Sequence, residues 1–145
     1  MIGTDVKQLV SEGIAAVEKG NTWLALAHFE NAAKQQPSPA VASYLGYCLA
    51  KERRQMQKAA LLCSEAIRLD PNNSVHYLNL GRVYLLADQK SRAIQTFRKG
   101  LKTGRNRQIV EELKALGLRK EPFFSSLSRT HFLNKYVGML LNKIA

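Results

Sequence analysis

The stretch LDPNNSVHYLNLGRVYLLADQKSRAI, Leu69–Ile94, decides the fold of this chain. It places Pro71, Gly81 and Ala93 among apolar residues that recur with helical periodicity. Pro71 lacks an N–H group and ends a helix, and Asn72, Asn73 and Ser74 follow it with side-chain oxygens that can cap the next helix. The stretch therefore predicts the end of one helix, a complete second helix, and the start of a third that crosses the second closely.

The small residues of this stretch belong to sets of residues that recur at a fixed spacing along the chain. We call each such set of equivalent positions a column. Four columns have a spacing of 34 residues: Ala25, Ala59 and Ala93; Phe29, Cys63 and Phe97; Ala32, Ala66 and Gly100; Pro37 and Pro71. Gly13, Gly46 and Gly81 form a fifth column with spacings of 33 and 35, which a one-residue change in a loop of the second repeat explains. A fixed period of this length is typical of a solenoid, in which each unit buries its apolar face against the next.

The pattern resembles the tetratricopeptide repeat family, whose unit pairs two antiparallel helices. The residues that carry the resemblance are Leu9, Gly13, Ala16, Ala25, Phe29, Ala32 and Pro37; Leu45, Gly46, Leu49, Ala59, Ala66 and Pro71; Tyr77, Leu80, Gly81, Tyr84, Ala93 and Phe97. Glu12, Cys63 and Arg105 depart from it, standing where leucine, an aromatic residue and proline are usual. The resemblance implies an all-α fold, a right-handed superhelical α-solenoid of helix-turn-helix repeats with C-terminal capping helices.

We expect one domain built of five segments. They are repeats at 4–37, 38–71 and 72–105, a capping helix at 106–118, and a C-terminal extension at 119–145. The predicted helices of the repeats are 4–19, 22–36, 39–51, 56–69, 74–87 and 90–103. An apolar stripe at 107–117 predicts the capping helix, which a solenoid needs because its last repeat otherwise exposes an apolar face.

The C-terminal extension does not continue the repeat. Its apolar residues follow a helical spacing: Phe132, Leu133, Tyr136, Val137, Leu140, Leu141 and Ile144. They predict an amphipathic tail helix whose apolar interface needs a cover. The extension also resembles the C-terminal extensions of some bacterial tetratricopeptide proteins.

In the family that the chain resembles, the first helices of the pairs line a concave groove that holds peptides or helices. The resemblance implies that the groove residues here are Val10, Ile14, Val17, Tyr44, Tyr47, Leu78, Asn79, Arg82 and Leu85, with Leu86 beside them. This surface is apolar and aromatic, so we expect a protein or peptide ligand that lays a helical or extended apolar segment in the groove. Tyr44, Tyr47, Leu78 and Leu85 would anchor the segment, and Arg82 would orient it.

Two occupants of the groove remain open at this point. The tail helix could fill its own groove, or the groove of a neighbour, which would give a homodimer by tail exchange. A heat-shock chaperone C-terminus is not expected, because the family's clamp for that carboxylate uses Lys, Asn and Arg. The matching positions here are Val10, Ile14, Tyr44, Val75 and Asn79.

The charge is concentrated in the second half of the chain. The net charge is +11, and residues 73–145 hold fourteen Lys and Arg against four Asp and Glu. A basic patch without acidic neighbours consists of Arg98, Lys99, Lys102, Arg105 and Arg107. Three interpretations of this patch remain open. It could be a solvated surface, a site for an acidic protein, or a site of attachment to nucleic acid or an anionic membrane. Stacking aromatics for single-stranded nucleic acid are missing from it.

No pattern in the sequence predicts catalysis or a cofactor. His28, His76 and His131 lie in separate segments without a Cys or carboxylate at ligand spacing, so we expect no metal. Cys48 and Cys63 are expected to be buried thiols rather than a redox couple. With no membrane-spanning apolar run and no secretory signal pattern, the expectation is a noncatalytic cytoplasmic protein.

Overall fold

The computed structural model describes residues 5–117, and this part of the chain forms seven α-helices and no strand. The helices are α1 Val6–Glu18, α2 Thr22–Gln35, α3 Pro39–Arg53, α4 Met56–Leu69, α5 Ser74–Leu86, α6 Lys90–Thr103 and α7 Arg107–Ala115. Helices α4 and α6 have the predicted bounds, and the others differ from the predicted bounds by one to three residues at one or both ends. The predicted extension at 119–145, with its tail helix, lies outside the described residues.

The helices pack in the order that a repeat fold requires. Each pair packs internally, α1 on α2, α3 on α4 and α5 on α6. Successive pairs are joined by contacts of α2 with α3, α4 with α5 and α3 with α5, and α7 packs on α6. The predicted all-α helical-repeat solenoid is therefore confirmed.

In the first and third pairs, the glycine of the first helix packs against the phenylalanine ring of the second helix. A Cβ added at Gly13 would lie 2.7 Å from Cζ of Phe29. In the second pair Cys63 replaces the aromatic residue, and a Cβ at Gly46 would lie 2.8 Å from the Ala59 carbonyl oxygen. The smaller Cys63 side chain thus lets the two helices approach until backbone is the nearest neighbour.

The lengths of the links between the helices explain why the glycines are spaced by 33 and 35 residues and not by 34. The link at 70–73 is one residue longer than the link at 36–38, which moves Gly81 one position further from Pro71 than Gly46 lies from Pro37. Asn73 ends the longer link as an N-cap, and its side-chain oxygen accepts the Val75 N–H at 3.0 Å, as predicted.

Each first helix of the three pairs is followed by a residue with a left-handed backbone. These residues are Gly20, Arg54 and Asp88, with φ of 80°, 54° and 62°, and they are again spaced by 34. Only glycine adopts this conformation without steric cost. Arg54 occupies it and donates a hydrogen bond from Nη2 to the carbonyl of Leu86, at the end of α5, at 3.0 Å. Of the three residues, only Gly20 is a glycine.

Candidate functional site

The predicted groove residues separate by burial. Half-buried, and so accessible to a ligand, are Val10, Ile14, Tyr47, Arg82 and Leu85, whereas Val17 and Tyr44 are buried at 9% and 7% exposure. The structure differs from the prediction at Leu78 and Asn79, which are 1% and 0% exposed. These two side chains lie in the core and offer no surface to a ligand.

The position of α7 explains why Leu78 is buried. Leu78 packs with Phe97 of α6 and with Ile109 and Leu113 of α7 in one apolar cluster. Helix α7, which packs on α6, thus helps to bury Leu78 through these two side chains. The prediction treated the surface of α5 as open, although the same sequence analysis expected a cap after it.

An open pocket along α1 brings together Val10 and Ile14, two of the three predicted groove residues of the first pair. It is lined by Asp5, Val6, Lys7, Val10, Ser11, Ile14, Gln36, Ser38 and Val41. Val10 and Ile14 supply apolar surface there, while Lys7 and Asp5 place one charge of each sign at its edge. The pocket therefore suits a side chain or helix edge that is mainly apolar.

Two tyrosines of α3 form the middle of the groove. The Tyr44 ring stacks on Phe29, with ring centres 5.1 Å apart and planes inclined by 3°. Tyr47 is more accessible, and Cζ of Arg82 lies 5.5 Å from its ring centre, within cation–π range. Burial raises the pKa of both phenols above 10.0, and the nearby Arg82 charge opposes this rise. Both hydroxyls therefore stay protonated at neutral pH.

Arg82 is held by a partner that the sequence did not reveal. Its Nε donates to Oε2 of Glu112 on α7 at 2.7 Å, with the two side chains 17% and 25% exposed. Since a guanidinium carries five N–H donors, this single bond and the Tyr47 contact leave donors for a further acceptor.

A chain of polar side chains, all buried except Asp70, joins the second and third pairs. The Ser43 hydroxyl lies 2.9 Å from Nδ1 of His76, and Nε2 of His76 lies 3.0 Å from Oδ2 of Asp70. The Asn79 amide donates to Ser43 Oγ at 3.1 Å, and Cys63 donates to the Ser43 carbonyl. All of these residues lie at the contact of α3, α4 and α5.

Serine, histidine and aspartate in sequence are the residue types of a nucleophilic triad, but these do not form an accessible site. Ser43 and His76 are both 0% exposed, so a substrate cannot reach the hydroxyl while the helices stay packed. The Asn79 Oδ1 atom is buried and has no hydrogen-bond partner within the described residues. The network instead fixes how the two pairs meet, because buried polar atoms are costly unless they are bonded.

The basic patch lies on α6 and at the start of α7. Lys99, Lys102, Arg105 and Arg107 are exposed, whereas Arg98 is half-buried and makes its own intramolecular interaction. Arg107 lies 3.8 Å from Glu111, and both side chains are largely in solvent.

Other predicted features can be placed as well. Cys48 and Cys63 are free and fully buried, as expected. Burial raises the pKa of the Cys48 thiol to about 12 and that of Cys63 further still. Among residues 5–117, no three His, Cys, Asp or Glu side chains converge as metal ligands would. Nor is any helix in this range long and apolar enough to cross a bilayer.

Comparison with known proteins shows what parts of the chain are similar to. Two models described as tetratricopeptide repeat match the sequence, over residues 10–74 and 62–95. A similar solved structure is the crystal structure of the TPR domain of P58(IPK) at 2.5 Å, with a TM-score of 0.58 and 23% identity. The match covers 86% of this chain and 35% of that chain, and it shows the fold alone. No curated protein matches the sequence.

Proposed function

We propose that this chain, which tetratricopeptide repeat models match over residues 10–74 and 62–95, is a noncatalytic protein-interaction module that binds a helical or extended apolar segment along α1, α3 and α5. Repeat solenoids present extended surfaces of this kind, formed by the same position of successive units. The proposal concerns a protein or peptide partner, and the partner's identity lies beyond it.

One row of side chains carries the proposal. Ile14, Tyr47 and Arg82 are each half-buried, and each lies nine residues after the residue that precedes its helix. They therefore occupy the same position on α1, α3 and α5, and Arg82 contacts Tyr47 directly. The row changes from aliphatic to aromatic to cationic along the solenoid.

The chemistry of the row specifies the partner segment. Aliphatic side chains at helical spacing would fill the pocket around Val10 and Ile14 and cover the Tyr47 ring. The remaining N–H groups of Arg82 would donate hydrogen bonds to a carbonyl or carboxylate oxygen of the same segment. Leu85 adds apolar surface at this end, while Leu78 and Tyr44 support the row from within the core. The missing carboxylate clamp still argues against a heat-shock chaperone C-terminus.

Three further expectations stand beside this proposal without support from the described residues. The tail helix within the C-terminal extension, from Phe132 to Ile144, is expected to compete for the groove, in its own chain or in a second copy. A cytoplasmic location and a bacterial origin likewise remain predictions.

A random-peptide selection on the full chain would test the groove. The best selected peptide would be titrated against the wild type, Ile14→Ser and Tyr47→Ser by fluorescence anisotropy. We expect both variants to weaken binding by about tenfold or more, since each removes roughly 1.5–3 kcal/mol of apolar contact. High salt should change the affinity little.

Leu61→Ser is the matched control for the selection. Leu61 on α4 is 71% exposed, so this variant removes a similar apolar side chain away from the groove. Binding should be unchanged in Leu61→Ser, and thermal unfolding should show that all variants are folded. The groove assignment is wrong if no peptide is selected, or if Leu61→Ser loses the peptide while the two groove variants keep it.

A further inference from the structure

The second helices of the three pairs are equivalent in the fold but differ in charge. Helix α2 carries Glu30 and Lys34, and α4 carries Lys58, Glu65 and Arg68. Helix α6 has cations and no acid: Lys90, Arg92, Arg98, Lys99 and Lys102. Since α2 and α4 serve the same packing role with nearly balanced charge, the fold itself does not require the charge of α6.

Equivalent positions of α4 and α6 differ directly in charge. Glu65 and Arg68 on α4 form a hydrogen-bonded ion pair three residues apart. The positions 34 residues later hold Lys99 and Lys102. The acid of the pair is thus replaced by a second cation, and like charges at this spacing repel each other. Helix α6 carries this small destabilisation on a surface that faces solvent.

The cations of α6 continue beyond the helix. Arg105 follows in the link to α7, and Arg107 begins α7 with 89% of its side chain exposed. A helix of this length extends for roughly 20 Å. The exposed cations Arg92, Lys99, Lys102 and Arg105 define what we name the α6 basic face.

We propose that the α6 basic face is a second protein-binding surface, separate from the groove, and that its partner is an acidic protein segment. Rows of Lys and Arg along a helix complement carboxylates presented at similar spacing on another chain. The inference does not depend on the proposed function of the groove, because the two surfaces share no residue.

The surroundings of the α6 basic face favour an acidic protein over the other anionic partners. Membrane attachment of a helix needs apolar side chains that enter the bilayer, but Phe97 and Leu101 of α6 are buried. The exposed large apolar residues of the described chain are Trp23, Leu61 and Leu69, which lie on α2 and α4. Single-stranded nucleic acid needs exposed rings for stacking. Carboxylates need only the cations.

The test uses the full chain and a labelled polyglutamate peptide, with binding followed by fluorescence anisotropy at low and high salt. Lys99→Glu is the decisive variant, because it recreates on α6 the arrangement that α4 already tolerates at Glu65 and Arg68. Lys34→Glu is its matched control: it makes the same change in net charge, at the α2 position equivalent to Lys102. We expect Lys99→Glu to weaken binding about five- to tenfold at low salt and Lys34→Glu to change it less than about twofold.

Three results would overturn the proposal. The first is no binding of polyglutamate at low salt, and the second is equal weakening by the two variants, which would mean attraction to net charge alone. The third is tighter binding of a duplex oligonucleotide or of anionic vesicles than of polyglutamate, lost in Lys99→Glu, which would assign the α6 basic face to that class of partner. Peptides selected for the groove should bind Lys99→Glu as they bind the wild type, so failure of one proposal leaves the other testable.

Discussion

Gly81 on α5 lies against the ring of Phe97 on α6, so close that a Cβ added to Gly81 would overlap the ring edge. Phe97 is fully buried, and its ring has no free space to move into. The same relation joins Gly13 to Phe29 in the first pair. The separation of the helices in these pairs is therefore set by the absence of one side chain.

Gly81→Ala is expected to destabilise the fold by about 1–3 kcal/mol, because the added methyl group overpacks the contact with Phe97. This should outweigh the gain of about 1 kcal/mol that alanine brings to a helix interior. Urea unfolding measures the difference. Gly104→Ala is the control, since a Cβ there meets nothing within 4 Å and its φ of 165° is extended backbone. A Gly81→Ala variant as stable as Gly104→Ala would contradict the packing argument.

The sequence predicted the fold where close packing dictates residue identity. Where two helices cross too closely to leave room for a side chain, the residue must be glycine or alanine. Because such crossings recur in every repeat, the columns of Gly13, Ala25 and Phe29 could be recognised from the sequence alone. The groove was less predictable. Whether Leu78 is surface or core depends on how α7 docks, and no local pattern encodes that.

Contacts between distant residues also escaped the sequence. Ser43 and His76 are 33 positions apart, and Arg82 and Glu112 are 30 apart. Polar residues at such separations carry no periodic signal, because each pair occurs once and not in every repeat. The comparison of α4 with α6 was accessible from the spacing of 34, but its meaning required knowing which side chains are exposed.

Gly20→Ala is expected to cost roughly 1–2 kcal/mol, although a Cβ at this position would meet nothing within 4 Å. The cost comes from the φ of 80°, which strains any residue with a side chain. Gly20→Asn should recover part of the loss, because asparagine tolerates the left-handed region better than alanine. Thermal unfolding of the three proteins tests this ordering. Equal stability of the alanine and asparagine variants would mean that backbone strain does not limit this turn.

Cys48 and Cys63 are expected not to react with a disulfide reagent such as Ellman's reagent in the folded protein at pH 8. Both thiols are buried, and burial raises the pKa of Cys48 to about 12, so little thiolate forms and little reagent arrives. Both should react at once after unfolding in guanidinium chloride. A thiol titrating rapidly under native conditions would show that the α3–α4 contact opens easily.

Asp70 is expected to make the stability of the fold depend on pH in acid. Its hydrogen bond with His76, and a second with Asn73, lower the pKa of the Asp70 carboxyl below its ordinary 3.8. A lowered folded-state pKa stabilises the fold above 3.8, and this stabilisation disappears as the pH falls through the folded value. Asp70→Asn should therefore be less stable than the wild type at pH 7, with the gap closing below pH 3.8. If the urea midpoints of the wild type and Asp70→Asn differ by the same amount from pH 7 to below pH 3.8, ionisation of Asp70 does not contribute to stability.

Arg82 and Glu112 are expected to be energetically coupled, because their ion pair is partly buried and ties α5 to α7. A double-mutant cycle with Arg82→Gln and Glu112→Gln measures this coupling in the free energy of unfolding. We expect about 1–2 kcal/mol, since removing one partner leaves the other charge poorly solvated. The pair Arg107 and Glu111 is the matched control, 3.8 Å apart and mostly in solvent, and its cycle should give about 0–0.5 kcal/mol. Additive effects at Arg82 and Glu112 would show that this ion pair does not help to hold α7 against α5.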